Sequence, residues 1–451
     1  MGKGCSDTTP VKSHLLRILG AGFGLAVILG AAVGGEILRL PGAVAQLLPS
    51  PGLFFLAWAL GGAFAGVSAL SFAELGTRLP RSGGLTVFAG AALGPFAGFV
   101  VGWGDFLASA FTVSAFALVR GELAAAMGLP GPARCWGALA ILLLGMLQWS
   151  GLRLGALVQD LTSAGKGVLL LALGLCALFL PGAPPGPRPP AAEGAGGWLA
   201  FAGAMQLVVF AYDNYYSSVY FGEEYTDPRS QIPRSLASGV LLVTGLYLTI
   251  SWAMVHALPY AALTSDLPGR DLAALVAGAF GARLVRAVML MALLSAMNAT
   301  LLIASRVLYA LGAAGLAGEG ATAVNAGGTP TNGLLATLAL ALAGLALPGF
   351  ETAIAFMSPF VLINYALCFL SLVVLRGRDP DPGGIFRAPL FPWTPGLSLL
   401  ASLALLAGSF AADGRVALGS VGLLVLAWPL FHWVRRAGTA PADAVPEPDQ
   451  G

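Results

Sequence analysis

Charge is what this sequence lacks most. Of 451 residues, 10% are Asp, Glu, Lys or Arg and 57% are hydrophobic, whereas soluble domains carry about 25% charged residues. That balance cannot supply a water-facing surface and excludes an ordinary soluble protein. Histidine and cysteine are also scarce. The three histidines (His14, His256, His432) and four cysteines (Cys5, Cys135, Cys176, Cys368) are scattered without metal-ligand or redox spacing. No metalloenzyme site, nucleophile–base pair or cofactor is therefore expected, and Cys176 and Cys368, inside apolar runs, read as small core residues. The phosphate-binding pattern G-x-x-x-x-G-K-S/T is missing too, and the soluble segments are too short for an ATPase domain. A formal net charge of +2 gives no ground for a nucleic-acid partner.

What the chain has instead is apolar length. Runs such as "LLATLALALAGLAL" and "VALGSVGLLVLAWPLFHWV" recur, near the roughly 20 residues that cross a bilayer. The pattern predicts about twelve spans, at 15–47, 52–79, 95–127, 134–151, 154–181, 198–225, 234–258, 283–314, 331–348, 351–376, 392–412 and 414–435. The lipid bilayer is thus the first expected partner. The first span follows a short polar tail, 1–14, without a cleavage pattern, and reads as an uncleaved start. "PGAPPGPRPPAAEGAGG" marks a linker at 182–197, which separates a first set of five spans (15–181) from a second (198–376). Two further helices (377–436) and a polar tail read as disordered (437–451) complete the organisation. About twice as many Lys and Arg fall at one set of span ends and loops (among them Arg17, Arg78, Arg81, Arg376, Arg378 and Arg435) as at the other. By the positive-inside rule both termini are expected in the cytoplasm of a multi-pass cell-membrane protein.

The first span of each set is interrupted. "GAAVGGEILRLPG" (30–42) puts glycines, Glu36 and a proline into the first, and "FAYDNYYSS" puts a polar, aromatic patch into the sixth. Unwinding a helix in lipid frees N–H and C=O groups at a cost of several kcal/mol each, so something must bind there. N–H groups at a half-helix start attract anions and the freed carbonyls attract cations. Paired breaks at the head of each set point to an inverted-repeat transporter with its site at the midplane; glycine-mediated helix packing is the alternative.

These stretches, with "SFAELGTRLPRSGG" (71–84) and "EEYTDPRSQIP" after the sixth-span break, resemble signatures of the amino acid–polyamine–organocation (APC) superfamily, in order, over roughly residues 15–376. The resemblance implies an all-α integral membrane protein with the LeuT-like fold: 12 transmembrane helices as a five-plus-five inverted repeat and two extra helices. It implies secondary active transport of an amino acid or amine by alternating access. A substrate carboxylate would lie against the N–H groups around Gly34, Gly35 and Glu36. Its ammonium would meet carbonyls near Ala31 and Ala32 and at Phe210, Ala211 and Asp213, with Phe210 as an aromatic gate. Tyr212, Tyr215 and Tyr216 are candidates for the side-chain pocket or for packing against neighbouring helices. The family's usual glycines are replaced by Glu36 and Asn214. Glu36 reads as a partner of Arg39 one turn away, as a proton carrier, or as counter-ion for a cationic or carboxylate-free substrate.

Lys166 lies deep in the fifth span, where an unpaired charge costs at least a few kcal/mol. In APC transporters that do without sodium a lysine stands at this place, so the resemblance implies sodium-independent transport, coupled to protons or to exchange, with Lys166 donating to carbonyls around Gly30 and Ala31. Snorkelling to the interface is the alternative. Asp105, Ser295 and Asn298 are further intramembrane polar residues that face either the site or a neighbouring helix, and Glu74, Arg81, Glu223, Glu224, Asp227 and Arg229 read as ion pairs of the inner loops. A sensor of the same fold without transport is the competing function.

Overall fold

The computed structural model describes residues 15–48, 50–183, 197–347, 349–412 and 414–437. The expected tails, Ala437 apart, and most of the 182–197 linker lie outside the described residues. The described chain is helical: α1 (Ala21–Ala32), α2 (Glu36–Leu47), α3 (Pro51–Arg78), α4 (Leu85–Leu93), α5 (Pro95–Ala126), α6 (Ala133–Trp149), α7 (Leu152–Leu178), α8 (Gly197–Tyr212), α9 (Pro228–Ala257), α10 (Tyr260–Leu263), α11 (Pro268–Ala313), α12 (Thr331–Gly344), α13 (Phe350–Arg378), α14 (Trp393–Ala412), α15 (Gly414–Val425) and α16 (Ala427–Ala437). Four of these, α3, α5, α9 and α11, open on a proline, where the missing N–H costs no helical hydrogen bond.

α7 shows how such a sequence folds. Gly155, Gln159, Ser163, Lys166, Leu170 and Gly174 recur at helical spacing and are buried, while Leu157, Leu161, Val168 and Leu175 between them are exposed. The polar stripe faces protein and the apolar stripe faces outward, the reverse of a soluble amphipathic helix and the arrangement lipid demands. Two faces of the bundle follow from the chain direction. The near face holds the ends of α3 and α13, joined where Arg376 and Arg78 both reach Glu74. The far face holds the ends of α2 and α9, joined by the Tyr260 hydroxyl donating to Leu48 O.

Among the described residues, eight helices are long and apolar enough to cross a membrane, or nine if α1 and α2, bent by 45° at their break, count as one. The apolar helices α6, α8 and α12 have 17, 16 and 14 described residues, fewer than the roughly 20 of a typical span. Helix length alone thus does not confirm twelve spans. The span expected at 198–225 stops as a helix at Tyr212 and continues in short 3₁₀ turns at Ser217–Tyr220 and Gly222–Glu224. The expected 283–314 helix starts early, as part of α11, which breaks at Ala277 and Gly278 (φ 58). α4 and α10 occupy stretches that hydropathy leaves as loops.

Candidate functional site

α1 ends because Val33 leaves helical dihedrals (φ −92, ψ 82) ahead of Gly34 and Gly35, two residues that each cost about 1 kcal/mol in a helix. The break strands carbonyls. Gly34 N–H turns to Ala32 O at 3.2 Å, leaving Gly30 O without the helical donor it would otherwise have. Lys166 fills that vacancy: Nζ donates to Gly30 O at 2.9 Å and the side chain is fully buried. That burial rules out snorkelling and puts the ammonium at the break.

Below Lys166, the same face of α7 forms a polar ladder against α1 and α11. Ser163 Oγ donates to Ala26 O at 2.8 Å and lies 3.2 Å from Ser295 Oγ. Asn298 Nδ2 donates to Gln159 Oε1 at 2.9 Å and to Gly155 O at 3.2 Å, and Gln148 Nε2 donates to Asn298 O at 2.8 Å. Ser295 and Asn298 thus hydrogen-bond to α7, and Asn298 to α6 as well. Gly30 is small by necessity here, since an added Cβ would strike the Gln159 side chain.

The second break follows α8. Asn214 adopts φ 65, a left-handed conformation that glycine and asparagine take most readily, which explains why asparagine can replace glycine there. Ser217 Oγ donates to Asn214 O at 2.6 Å. Tyr247 of α9 ties the two breaks together: its hydroxyl donates to Ala32 O at 2.6 Å and shares the proton with Ala211 O at 3.0 Å. Two carbonyls expected to meet a substrate ammonium thus already accept from one buried tyrosine. Ala31 is buried in the last turn of α1 beside them.

Two aspartates complete the centre. Asp213 accepts from the hydroxyl of Tyr365 on α13, and Asp105 of α5 accepts from Tyr220 at 2.7 Å. Asp105 thereby has the partner that its sequence context does not reveal. Tyr216 stacks on Phe72 at 4.9 Å and meets Tyr365 edge-on at 5.2 Å; Tyr215 joins the same cluster. Tyr212 instead donates to Trp58 O at 3.2 Å and packs on Tyr247, so of the three tyrosines it faces neighbouring helices. Phe210, Asp213 and Tyr365 line a small cavity of about 40 Å³ between α8, α13 and α14.

On the near face Arg306, fully buried, makes a bidentate pair with Glu224 at 2.8 Å for both bonds and lies 4.8 Å from the Phe221 ring centroid. Leu19 N–H donates to Glu224 O at 2.8 Å and Thr226 N–H to Leu19 O at 3.0 Å. The foot of α1 is thus fastened to the loop after the second break. Outside the membrane-spanning helices, Glu223 accepts from Ser82 N–H at 3.4 Å, and burial raises its carboxyl above the usual range.

A bundle of helices that turn apolar stripes outward, two of them broken against each other around buried polar groups, has the architecture of a membrane transporter. The family model described as "Amino acid permease" matches residues 24–426, and the chain belongs to that family. It is 24% identical over 433 residues to the serine/threonine exchanger SteT of Bacillus subtilis (94% of this chain, 98% of that one). Similarity to the branched-chain amino acid permease BcaP of Lactococcus lactis is 25% over 420 residues (86% and 89%), and to the human b(0,+)-type amino acid transporter 1 it is 27% over 262 residues (55% and 53%). The fold is accordingly LeuT-like and the activity is amino acid transport.

Proposed function

We propose that the protein moves its substrate by alternating access, without sodium, driven by protons or by exchange for internal substrate. The observation that carries this reading is the pair of breaks whose stranded carbonyls at Gly30, Ala32 and Ala211 accept from the buried side chains of Lys166 and Tyr247. A fixed ammonium on a helix-break carbonyl does the electrostatic work of a bound monovalent cation. The substrate sits between the breaks, near Gly34, Gly35, Phe210 and Asp213, with Tyr216 and Tyr365 beside it. The five-plus-five division at the linker supplies the two halves that rock against each other. The near face is cytoplasmic, in keeping with its excess of Lys and Arg, and the membrane is the cell membrane.

The test is uptake into liposomes with sodium replaced by choline. Transport is expected at an unchanged rate in the wild type. In Lys166→Ala the rate falls and its pH profile changes; an unchanged rate and profile would remove the role given to Lys166. Preloading the liposomes with substrate separates exchange, which requires it, from proton symport, which does not.

A further inference from the structure

Glu36 opens α2, and its side chain folds back over the first break, so that a Cβ added to Gly34 would strike its carboxylate. The carboxylate thus lies against Gly34 at the first turn of α2. This is the positive end of α2, where an anion is most favoured. The protein's own carboxylate therefore occupies ground that a substrate carboxylate would otherwise take.

Glu36 also differs from the other buried carboxylates among the described residues. Glu74 receives Arg78 and Arg376, Glu224 receives Arg306, Asp105 receives Tyr220 and Asp213 receives Tyr365. Glu36 is only 8% exposed, and its Oε2 has no hydrogen-bond partner. The cation that acts on it electrostatically is Lys166, whose ammonium donates to Gly30 O. Near the breaks, then, Glu36, Asp105 and Asp213 are all buried, and of these three it is Glu36 on which the buried cation Lys166 acts.

A cavity of about 190 Å³ reaches this carboxylate from the far face, between α2, α5 and α11. Its charged wall residues are Glu36, Glu122, Asp266 and Arg39; Glu122 and Asp266 are exposed at the mouth, while Glu36 is buried. Three carboxylates against one guanidinium draw cations in and repel anions.

We propose that Glu36 replaces the substrate's α-carboxylate, making it the residue that selects primary amines without a carboxylate over the amino acids they derive from. An arriving α-carboxylate meets like charge already placed at the break, a juxtaposition that costs several-fold or more in affinity. An ammonium meets an unsatisfied acceptor. This inference rests on the transport reading above and narrows its substrate class.

The experiment pairs each amine with its parent: labelled tyramine with tyrosine, cadaverine with lysine and agmatine with arginine, taken up by proteoliposomes of the full chain that are preloaded with the unlabelled pair and held under an inward proton gradient. The wild type is expected to take the amines about tenfold faster than the parents, a ratio that a modest binding difference produces. Glu36→Gly reverses the ranking, and Glu36→Gln, which keeps the shape and removes the charge, loses the amine preference while eluting as a single folded species. A wild type that prefers the parents, with a ranking that Glu36→Gly leaves unchanged, overturns the inference and leaves transport standing. Saturable uptake of neither series by folded wild-type protein overturns the transport reading and the inference together.

Discussion

At the scale of single residues, Lys166 and Tyr247 do the same job on opposite sides of one break: each supplies a donor to a carbonyl that the helix has abandoned. Tyr247→Phe keeps the ring and removes the bond shared by Ala32 O and Ala211 O. A loss of about 1 to 2 kcal/mol in stability is expected, read as a lower melting temperature in detergent. Transport should slow as well, since the two breaks are no longer tied. The sequence makes these residues unequally visible. A lysine among apolar residues declares itself by its cost, and its target around Gly30 is what the family resemblance implies. A tyrosine inside "VTGLYLTI" carries no such mark, because an aromatic ring suits an apolar helix whether or not its hydroxyl is bonded; Tyr365 was hidden for the same reason.

At the scale of elements, the breaks are where sequence and structure agree most closely and where they part. The glycine cluster at 30–35 ends α1 as its composition suggests, and α2 restarts with an acid in its first turn. The sixth span is different. Its second half has enough apolar and aromatic residues to read as helix, yet Asn214 turns the chain left-handed and the rest follows as 3₁₀ turns locked by aromatic packing on α3 and α13. Tertiary contacts overrode local propensity there. Asn214→Gly should therefore be tolerated, whereas Asn214→Val, with a branched side chain at φ 65, should cost about 1 to 2 kcal/mol; paired thermal melts of the two variants check this. Gly30→Ala belongs to the same scale. Its Cβ meets the Gln159 side chain, so it should push α1 away from α7 and lower transport along with stability.

At the scale of the whole molecule, the near face is fastened and the larger cavity lies on the far side. The buried Arg306–Glu224 pair and the Leu19–Thr226 backbone bridge hold the foot of α1 against the loop beyond the second break. Removing one partner of a buried ion pair costs about 3 to 5 kcal/mol, so Arg306→Ala should unfold markedly earlier than the wild type in a thermal melt. Hydropathy does not give the lengths of the apolar runs as helices: α8 and α12 are short because a break or a turn consumes residues that apolarity alone assigns to a span. Orientation is open to direct test. Cys135 is exposed at the start of α6 on the far face, so a membrane-impermeant maleimide should label it from outside intact cells, and labelling only after lysis would reverse the assignment of the faces.

The central claim is that the two breaks form a carrier site that works without sodium, and its most direct measurement is the time course of labelled amino acids and amines entering sodium-free proteoliposomes that contain only this protein, preloaded with the unlabelled compounds and held under an inward proton gradient. Saturable uptake, competed by unlabelled substrate and lost in Lys166→Ala, is the predicted result. Uptake by the folded wild type no faster than by protein-free liposomes, across both series, would contradict it.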